Sequence, residues 1–353
     1  MKATDRKKVC GREGYCREEV RMIKDKIKVG HHILKNRMVK APIHSETCVD
    51  GKVTAETEKH YEDRTKGGRF GLVVVEHSYV RKDGMASPTQ LSSSRDSDID
   101  GLKRICEIIH NNGSKAILQI NHAGCGASRT FTGLESVSSS NISVTCGWPG
   151  SKPNPEKPRP LTVNEIQALE ESYIKAAERG MKAGYDGINL HSAHAYMLNQ
   201  FFSPLINKRT DEYNGYTLEG RTRIHMELIK GIRQVIGDKA LFALRLGGCD
   251  YTTGGSTIED AVWACKRFEE AGVNLLDISG GTCCFVRKGH TYPGYFGDIS
   301  EAVKKEVNIP VLLTGGVKKV EDAERLLQEG KADMIGVGRI ITADAGWGME
   351  LAE

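Results

Sequence analysis

Apolar runs of strand length recur eight times along the chain: RMVKAP from 37, GLVVVE from 71, KAILQI from 115, DGINLH from 186, ALFALRL from 240, LLDISGG from 275, PVLLTGG from 310 and MIGVGR from 334. They do not alternate strictly between apolar and polar residues, as expected of strands covered on both faces of a parallel sheet. Between them lie single apolar stripes at helical spacing. These are Leu102, Ile105, Cys106 and Ile109; Ile166, Leu169, Tyr173 and Ala177; Ile224, Leu228, Ile232 and Val235; and Ile258, Ala261, Cys265 and Phe268. Thr162-Val-Asn-Glu165 reads as a capping box, and glycines at 113, 184, 237, 272 and 330 stand where helices should stop. Eight strands alternating with helices predict an α/β fold of the (β/α)₈ TIM-barrel type, whose usual length of about 250 to over 400 residues suits the chain. A doubly wound sheet is the alternative.

Two irregularities qualify the repeat. DKIKVGHHILKN, before the first barrel strand, reads as an N-terminal β-hairpin turning near Gly30 and His31, placed to plug the base of the barrel. After the third strand comes a long excursion in which GWPGSKPNPEKPRP sets five of the ten prolines between 149 and 160. That composition excludes a helix and predicts a passage over the C-terminal face, either a lid or an ordered surface loop. The expected organisation is a basic extension over 1–24 and one domain over 25–353.

Composition narrows the class. With 39% hydrophobic and 27% charged residues among 353, the chain reads as a globular protein with a sizeable core. No apolar run approaches the roughly 20 residues of a membrane span and no h-region follows the basic start, so no membrane association and a cytoplasmic location are expected. The first 28 residues hold ten Lys or Arg against five Asp or Glu, which covers the net charge of +4. Without interleaved aromatics or a recognition motif, this reads as a solvated tail, and no nucleic-acid partner is expected. The ten cysteines include no C-x-x-C; Cys10 and Cys16 are six apart and Cys283 and Cys284 adjacent, which argues against a zinc or iron–sulfur site.

In such barrels the reactive face is built at the C-terminal ends of the strands. There the sequence places His44; Glu76 and His77; Gln119 and His122; His191 and His194; Arg245; Gly315 and Gly316; and Gly338 and Arg339. Five histidines on one face admit a metal-dependent hydrolase, although only Glu76 among the strand ends adds a carboxylate. TGG after strand seven and GVGR after strand eight instead suggest the usual barrel phosphate site, with Gln119 and Arg245 free to bond a heterocycle.

With those residues in place, the chain resembles the Old Yellow Enzyme family of FMN-dependent ene-reductases, from about Ile27 to Trp347. The stretches that carry the resemblance are LKNRMVKAPI, LQINHAG, HSAHAYMLNQFFSPLINKRTDEYNG, and LLTGGV followed by MIGVGR. The resemblance implies FMN at the barrel mouth, reduced by NADH or NADPH, passing hydride from flavin N5 to the β-carbon of an enone. Ala41, Pro42 and Ile43 would line the isoalloxazine, Gln119 and Arg245 would bond its pyrimidine edge, and Gly315, Gly316, Gly338 and Arg339 would hold the phosphate. By the same resemblance His191 and His194 would bind the substrate oxygen and Tyr196 would donate a proton to the α-carbon.

Three departures from the family pattern stand out. His44 replaces the usual Thr or Cys near flavin O4, with His77 beside it where a small residue is usual; Cys125 replaces a common Arg after HAG, which should remove a cation from the mouth. Relatives similar to dienoyl-CoA reductase or trimethylamine dehydrogenase, the branch nearest in character, continue past the barrel into an iron–sulfur site and nucleotide domains. Electrons are therefore expected either directly from a nicotinamide or from a partner, and homo-oligomers are open. TCCFVRKGHTYPGYF after strand six should border a bulky, apolar enone, steroid-like ones included, through Tyr292, Tyr295 and Phe296. A flavin-binding barrel without reductase activity remains the other alternative.

Overall fold

A computed structural model describes residues 22–147 and 152–351. The expected extension over 1–24 thus lies outside the described residues except for its last three, as do Cys10 and Cys16. A hairpin of β1 (Ile27–Val29) and β2 (His32–Leu34) opens the fold. Barrel strands follow as β3 (Met38–Lys40), β4 (Leu72–Tyr79) and β5 (Lys115–Asn121). A small parallel pair, β6 (Val137–Ser138) and β7 (Arg159–Pro160), belongs to the excursion. The barrel resumes with β8 (Gly187–Ser192), β9 (Leu241–Gly247), β10 (Leu275–Ser279), β11 (Val311–Thr314) and β12 (Met334–Val337). All eight pairings are parallel and close on themselves through β12 and β3, so the doubly wound alternative does not hold.

The helices are α1 (Ala55–Thr65), α2 (Ile99–Asn111), the short α3 (Arg129–Thr132), α4 (Val163–Lys182), α5 (Met197–Phe202), α6 (Leu218–Ile236), α7 (Ile258–Glu270), α8 (Gly297–Glu306), α9 (Val320–Gln328) and α10 (Arg339–Ala343). The expected capping box of α4 forms reciprocally, the Thr162 hydroxyl accepting from Glu165 N–H while the Glu165 carboxylate accepts from Thr162 N–H. One stripe needs correction. Val235 is exposed, and Ile236 carries the last buried position of α6.

Two apolar layers follow from strand alternation. Val39, Leu72, Val74, Ile117, Leu241, Ala243, Leu275, Leu312 and Met334 fill the barrel, and Ile27, Val29 and Leu34 of the hairpin pack into that same cluster. The hairpin therefore plugs the base as expected. Residues of opposite parity, such as Val73, Val75, Leu118, Ile188, Leu244 and Ile278, meet the helices in the outer layer. With its base filled by apolar side chains, the barrel is left open for polar chemistry at the C-terminal ends of its strands.

Candidate active site

Those ends enclose a cavity of about 1190 Å³. The expected cofactor residues and the His–His–Tyr set all line it: Ala41, Pro42, Ile43, His44, His77, Gln119, His191, His194, Tyr196, Arg245, Gly315, Gly316, Gly338 and Arg339. Two strand-end candidates do not. His122 is buried elsewhere, its Nε2 3.3 Å from Asp83 while its Nδ1 accepts from Gly124 N–H. Glu76 faces outward, taking hydrogen bonds from Tyr61 of α1 and from Ser45 N–H.

A bulge separates Glu76 from His77. Val75 pairs with Leu118 and Ser78 with Ile120, so β4 spends one residue more than β5 over this interval. Strict alternation would have put Glu76 inside the barrel and His77 outside. The extra residue exchanges them, and His77 enters the cavity, where Gln90 Nε2 lies 2.5 Å from its Nδ1. Burial, then His44 and Arg245, lower its pKa to about 3, so the ring is neutral.

His191, next to last in β8, points its imidazole toward three neighbours. Its ring centroid lies 5.1 Å from that of His194, 5.3 Å from Tyr196 and 6.2 Å from His77. The chain reaches Tyr196 through two consecutive left-handed residues, His194 and Ala195, both at φ of 59°. This conformation is strained for residues other than glycine and throws both side chains back over the strand end. The Asn199 amide oxygen holds the turn by accepting from Ala195 N–H at 2.8 Å.

Protonation follows from the partners. Arg245 Nη2 donates to Ser279 Oγ at 3.5 Å, and the same hydroxyl lies 2.8 Å from His194 Nε2. The serine oxygen, with two lone pairs and one proton, thus ties the Arg245 guanidinium to the His194 ring. His191 Nδ1 is buried and without a partner. Burial, with Arg245 and His77 nearby, pushes both imidazoles well below their usual pKa. Burial also raises the Tyr196 phenol, which stays protonated. Gly147 lies against that hydroxyl, where a Cβ would stand 2.1 Å from it.

The other strand ends around the cavity fit a phosphorylated heterocycle. Gln119 commits its amide NH₂ to Asn189 Oδ1 at 3.0 Å and leaves Oε1 buried without a partner, and Arg245 lines the same cavity from two strands along. Donor and acceptor thus stand ready together, as a pyrimidine edge requires. Arg245 itself leans on Asp277, Nε to Oδ2 3.5 Å, an inward-facing carboxylate that sequence reasoning passed over within LLDISGG. Gly315 and Gly316 pack on the ring of Tyr295, where added Cβ atoms would come to 2.9 and 2.7 Å. Arg339 Nη2 donates to the Tyr295 hydroxyl at 2.9 Å and lies over the Phe285 ring. Ser279, His60, Arg64 and Lys318 also escaped the sequence reading; Ser279 lies at a strand end, but the others sit on or near helices whose inward side periodicity does not reveal.

Expectations for the loops divide. Val144, Cys146, Gly147, Lys152 and Asn154 of the excursion line the cavity, so it is part of the wall. Tyr295 lines it too, but Phe296 is core and Tyr292 is exposed, so two of the three aromatics expected after strand six do not border the site. Cys125 is buried against Cys146 and leaves the mouth to other residues. Among the described residues, no three His, Cys, Asp or Glu stand close enough to hold a metal ion, which removes the donor set a hydrolase needs.

Comparison with known proteins agrees with this geometry. Residues 25–353 match the model of the NADH:flavin oxidoreductase / NADH oxidase family. The chain belongs to that family. It is 34% identical over 327 residues to NADH oxidase of Thermoanaerobacter brockii, covering 91% of this chain and 49% of that protein. It is 35% identical over 323 residues to NADPH dehydrogenase of Halalkalibacterium halodurans, covering 90% of each. Among solved structures it is similar to 2-naphthoyl-CoA reductase in complex with 2-naphthoyl-CoA, at TM-score 0.84 and 27% identity, over 92% of this chain and 51% of that one. The chain thus spans about half the length of the NADH oxidase and of the reductase. The family resemblance to Old Yellow Enzyme holds, and FMN is the cofactor. No helix among the described residues is long and apolar enough to cross a membrane.

Proposed function

We propose that the chain reduces activated alkenes, taking hydride from NADH or NADPH and adding it to the β-carbon of an α,β-unsaturated carbonyl. The observation that carries this reading is the meeting of His191, His194 and Tyr196, two neutral imidazoles and a protonated phenol, in the cavity that Gln119 and Arg245 of the flanking strands also line. FMN, when bound, supplies the hydride carrier at its N5. Ala41, Pro42 and Ile43 would line its ring system, His44 and His77 would lie beside it, and Gln119 and Arg245 would meet its pyrimidine edge. Gly315, Gly316, Gly338 and Arg339 would hold its phosphate.

The remaining chemistry belongs to the chain's own residues. As hydride arrives, negative charge grows on the carbonyl oxygen. Donors already fixed at a strand end stabilise that charge without reorganising. Ser279 fixes the His194 ring through Nε2, and His191 presents its unpartnered Nδ1 edge. Tyr196 then gives its proton to the α-carbon, a role suited to a phenol kept protonated by burial.

The cavity exceeds the ~300–1,000 Å³ of an ordinary ligand site. That volume has to hold the flavin as well as substrate, and the aromatic wall of Phe285 and Tyr295, with the likeness to a reductase of an aromatic thioester, favours bulky, polycyclic substrates over small enones. Deuterium placed at the transferable position of NADPH tests the reading. It should appear at the β-carbon of the reduced ketone, and recovery of unlabelled product or of unchanged enone would overturn it.

A further inference from the structure

Cys125 follows β5 in the turn Gly124–Gly126, and Cys146 lies in the excursion, yet their Sγ atoms are 3.3 Å apart. Both are free thiols. Cys125 is fully buried, whereas Cys146 lines the cavity. The pair is tied to the catalytic turn on both sides. The Cys146 thiol donates to the carbonyl of Ala195 at 3.1 Å. Gln200 accepts from Cys125 N–H at 3.2 Å and donates to that same Ala195 carbonyl at 2.6 Å. Gly147, the next residue after Cys146, donates to the carbonyl of His194 at 2.8 Å and packs on the Tyr196 hydroxyl.

We propose that Cys125 and Cys146 form a peroxide-responsive dithiol, which closes to a disulfide across the cavity wall and fixes the excursion against Tyr196. A hydroperoxide entering the cavity meets Cys146 first. Sulfur attacks one peroxide oxygen, the O–O bond breaks, and Cys146 becomes a sulfenic acid as the first water leaves. Cys125 then attacks the Cys146 sulfur, the S–S bond forms and the second water departs. Two thiols and one hydrogen peroxide thus give one disulfide and two waters, the thiols losing two electrons.

The geometry favours closure. A disulfide spans about 2.05 Å, so the sulfurs need approach by little more than about 1 Å from their present contact. Within the pair the contact holds the Cys125 thiol below its usual pKa, which suits it to the second attack, and with burial it pushes Cys146 up. Closure joins segments 21 residues apart in sequence and removes the give between Gly147 and the phenol. Bulky substrates need that give most.

The test treats the FMN-loaded chain with hydrogen peroxide, blocks remaining thiols and maps peptides without reduction. The expected result is a Cys125–Cys146 crosslink with loss of two hydrogens, reversed by dithiothreitol. Turnover of a bulky enone should fall about tenfold on oxidation, equivalent to about 1.4 kcal/mol, and recover on reduction. In Cys125→Ala no crosslink should form, and dimedone should trap a sulfenic acid on Cys146. A crosslink from Cys146 to Cys284, or Cys146 passing to a sulfinic acid uncrosslinked in the unmutated chain, would overturn the pairing whether or not the variant folds. A correct crosslink with unchanged turnover would overturn its control of the site.

Discussion

His191 and Arg245 are register partners across β8 and β9, and Arg245 is in turn the partner of Asp277 on β10. One register therefore places the imidazole offered to substrate, the guanidinium offered to cofactor and the carboxylate behind it. A slip of one residue would turn all of them toward the helices.

The Arg245–Asp277 pair is almost wholly buried, and burial raises the Asp277 carboxyl despite the arginine. Arg245→Ala leaves that carboxyl without its partner and should cost about 3–5 kcal/mol of stability in denaturant unfolding. Adding Asp277→Asn should restore part of the loss. Equal stability of Arg245→Ala and parent would show that Asp277 is already neutral without its partner.

Tyr196→Phe removes the acid and leaves the ring. Stopped-flow measurement should find flavin reduction by NADPH nearly intact, and enone reduction slower by about 10²–10⁴-fold unless water takes over. Equal slowing of both halves would contradict the assignment of the proton to Tyr196.

Because His191 and His194 sit far below their usual pKa, both should stay neutral across the ordinary pH range. Affinity for a neutral oxygen ligand, followed by the flavin spectrum, should be flat between about pH 5 and 8, apart from the ligand's own titration. A binding transition near the usual imidazole value would refute this. Stability carries the matching signature at His225, lowered by burial to about 3. Its folded pKa lies below the unfolded one, so the unfolded chain binds the extra proton. That contribution is complete above about pH 6.5 and falls toward pH 3, by up to about 1.4 kcal/mol per pH unit. His225→Asn should flatten the slope by that amount.

Gly147 combines a φ of 69° with contact to the phenol, so Gly147→Ala strains the backbone and displaces Tyr196 at once. FMN content should be unchanged, since Gly147 belongs to the excursion while the proposed cofactor groups belong to the barrel strands and the residues just after them. Enone turnover should fall by about tenfold or more, consistent with misplacing a proton donor by about 1 Å. Loss of FMN in this variant would place Gly147 nearer the cofactor than the cavity wall suggests.

Much of this was legible in the chain. Strand runs, helical stripes and stop glycines give the barrel, because each reflects burial on a fixed period, and strand ends give the cavity residues because the fold puts chemistry there. The bulge in β4 was not legible. It depends on one extra residue opposite Gln119, and without it Glu76 and His77 would have exchanged faces. Nor could sequence order separate Tyr295, at the cavity, from Tyr292 and Phe296 on either side, since loops carry no period. The thiol contact between Cys125 and Cys146 depends on how the excursion folds back, which proline content alone does not fix.

The most direct measurement is an anaerobic double-mixing experiment on the purified, FMN-loaded chain. NADPH or NADH should bleach the visible flavin band, and a polycyclic enone added next should restore it, with one saturated ketone formed per nicotinamide oxidised. Phenol should compete with the enone, and His191→Ala or His194→Ala should weaken both ligands by the equivalent of about 1.5–3 kcal/mol. A chain that binds no FMN, or whose bleached flavin is reoxidised by no enone, would contradict the account.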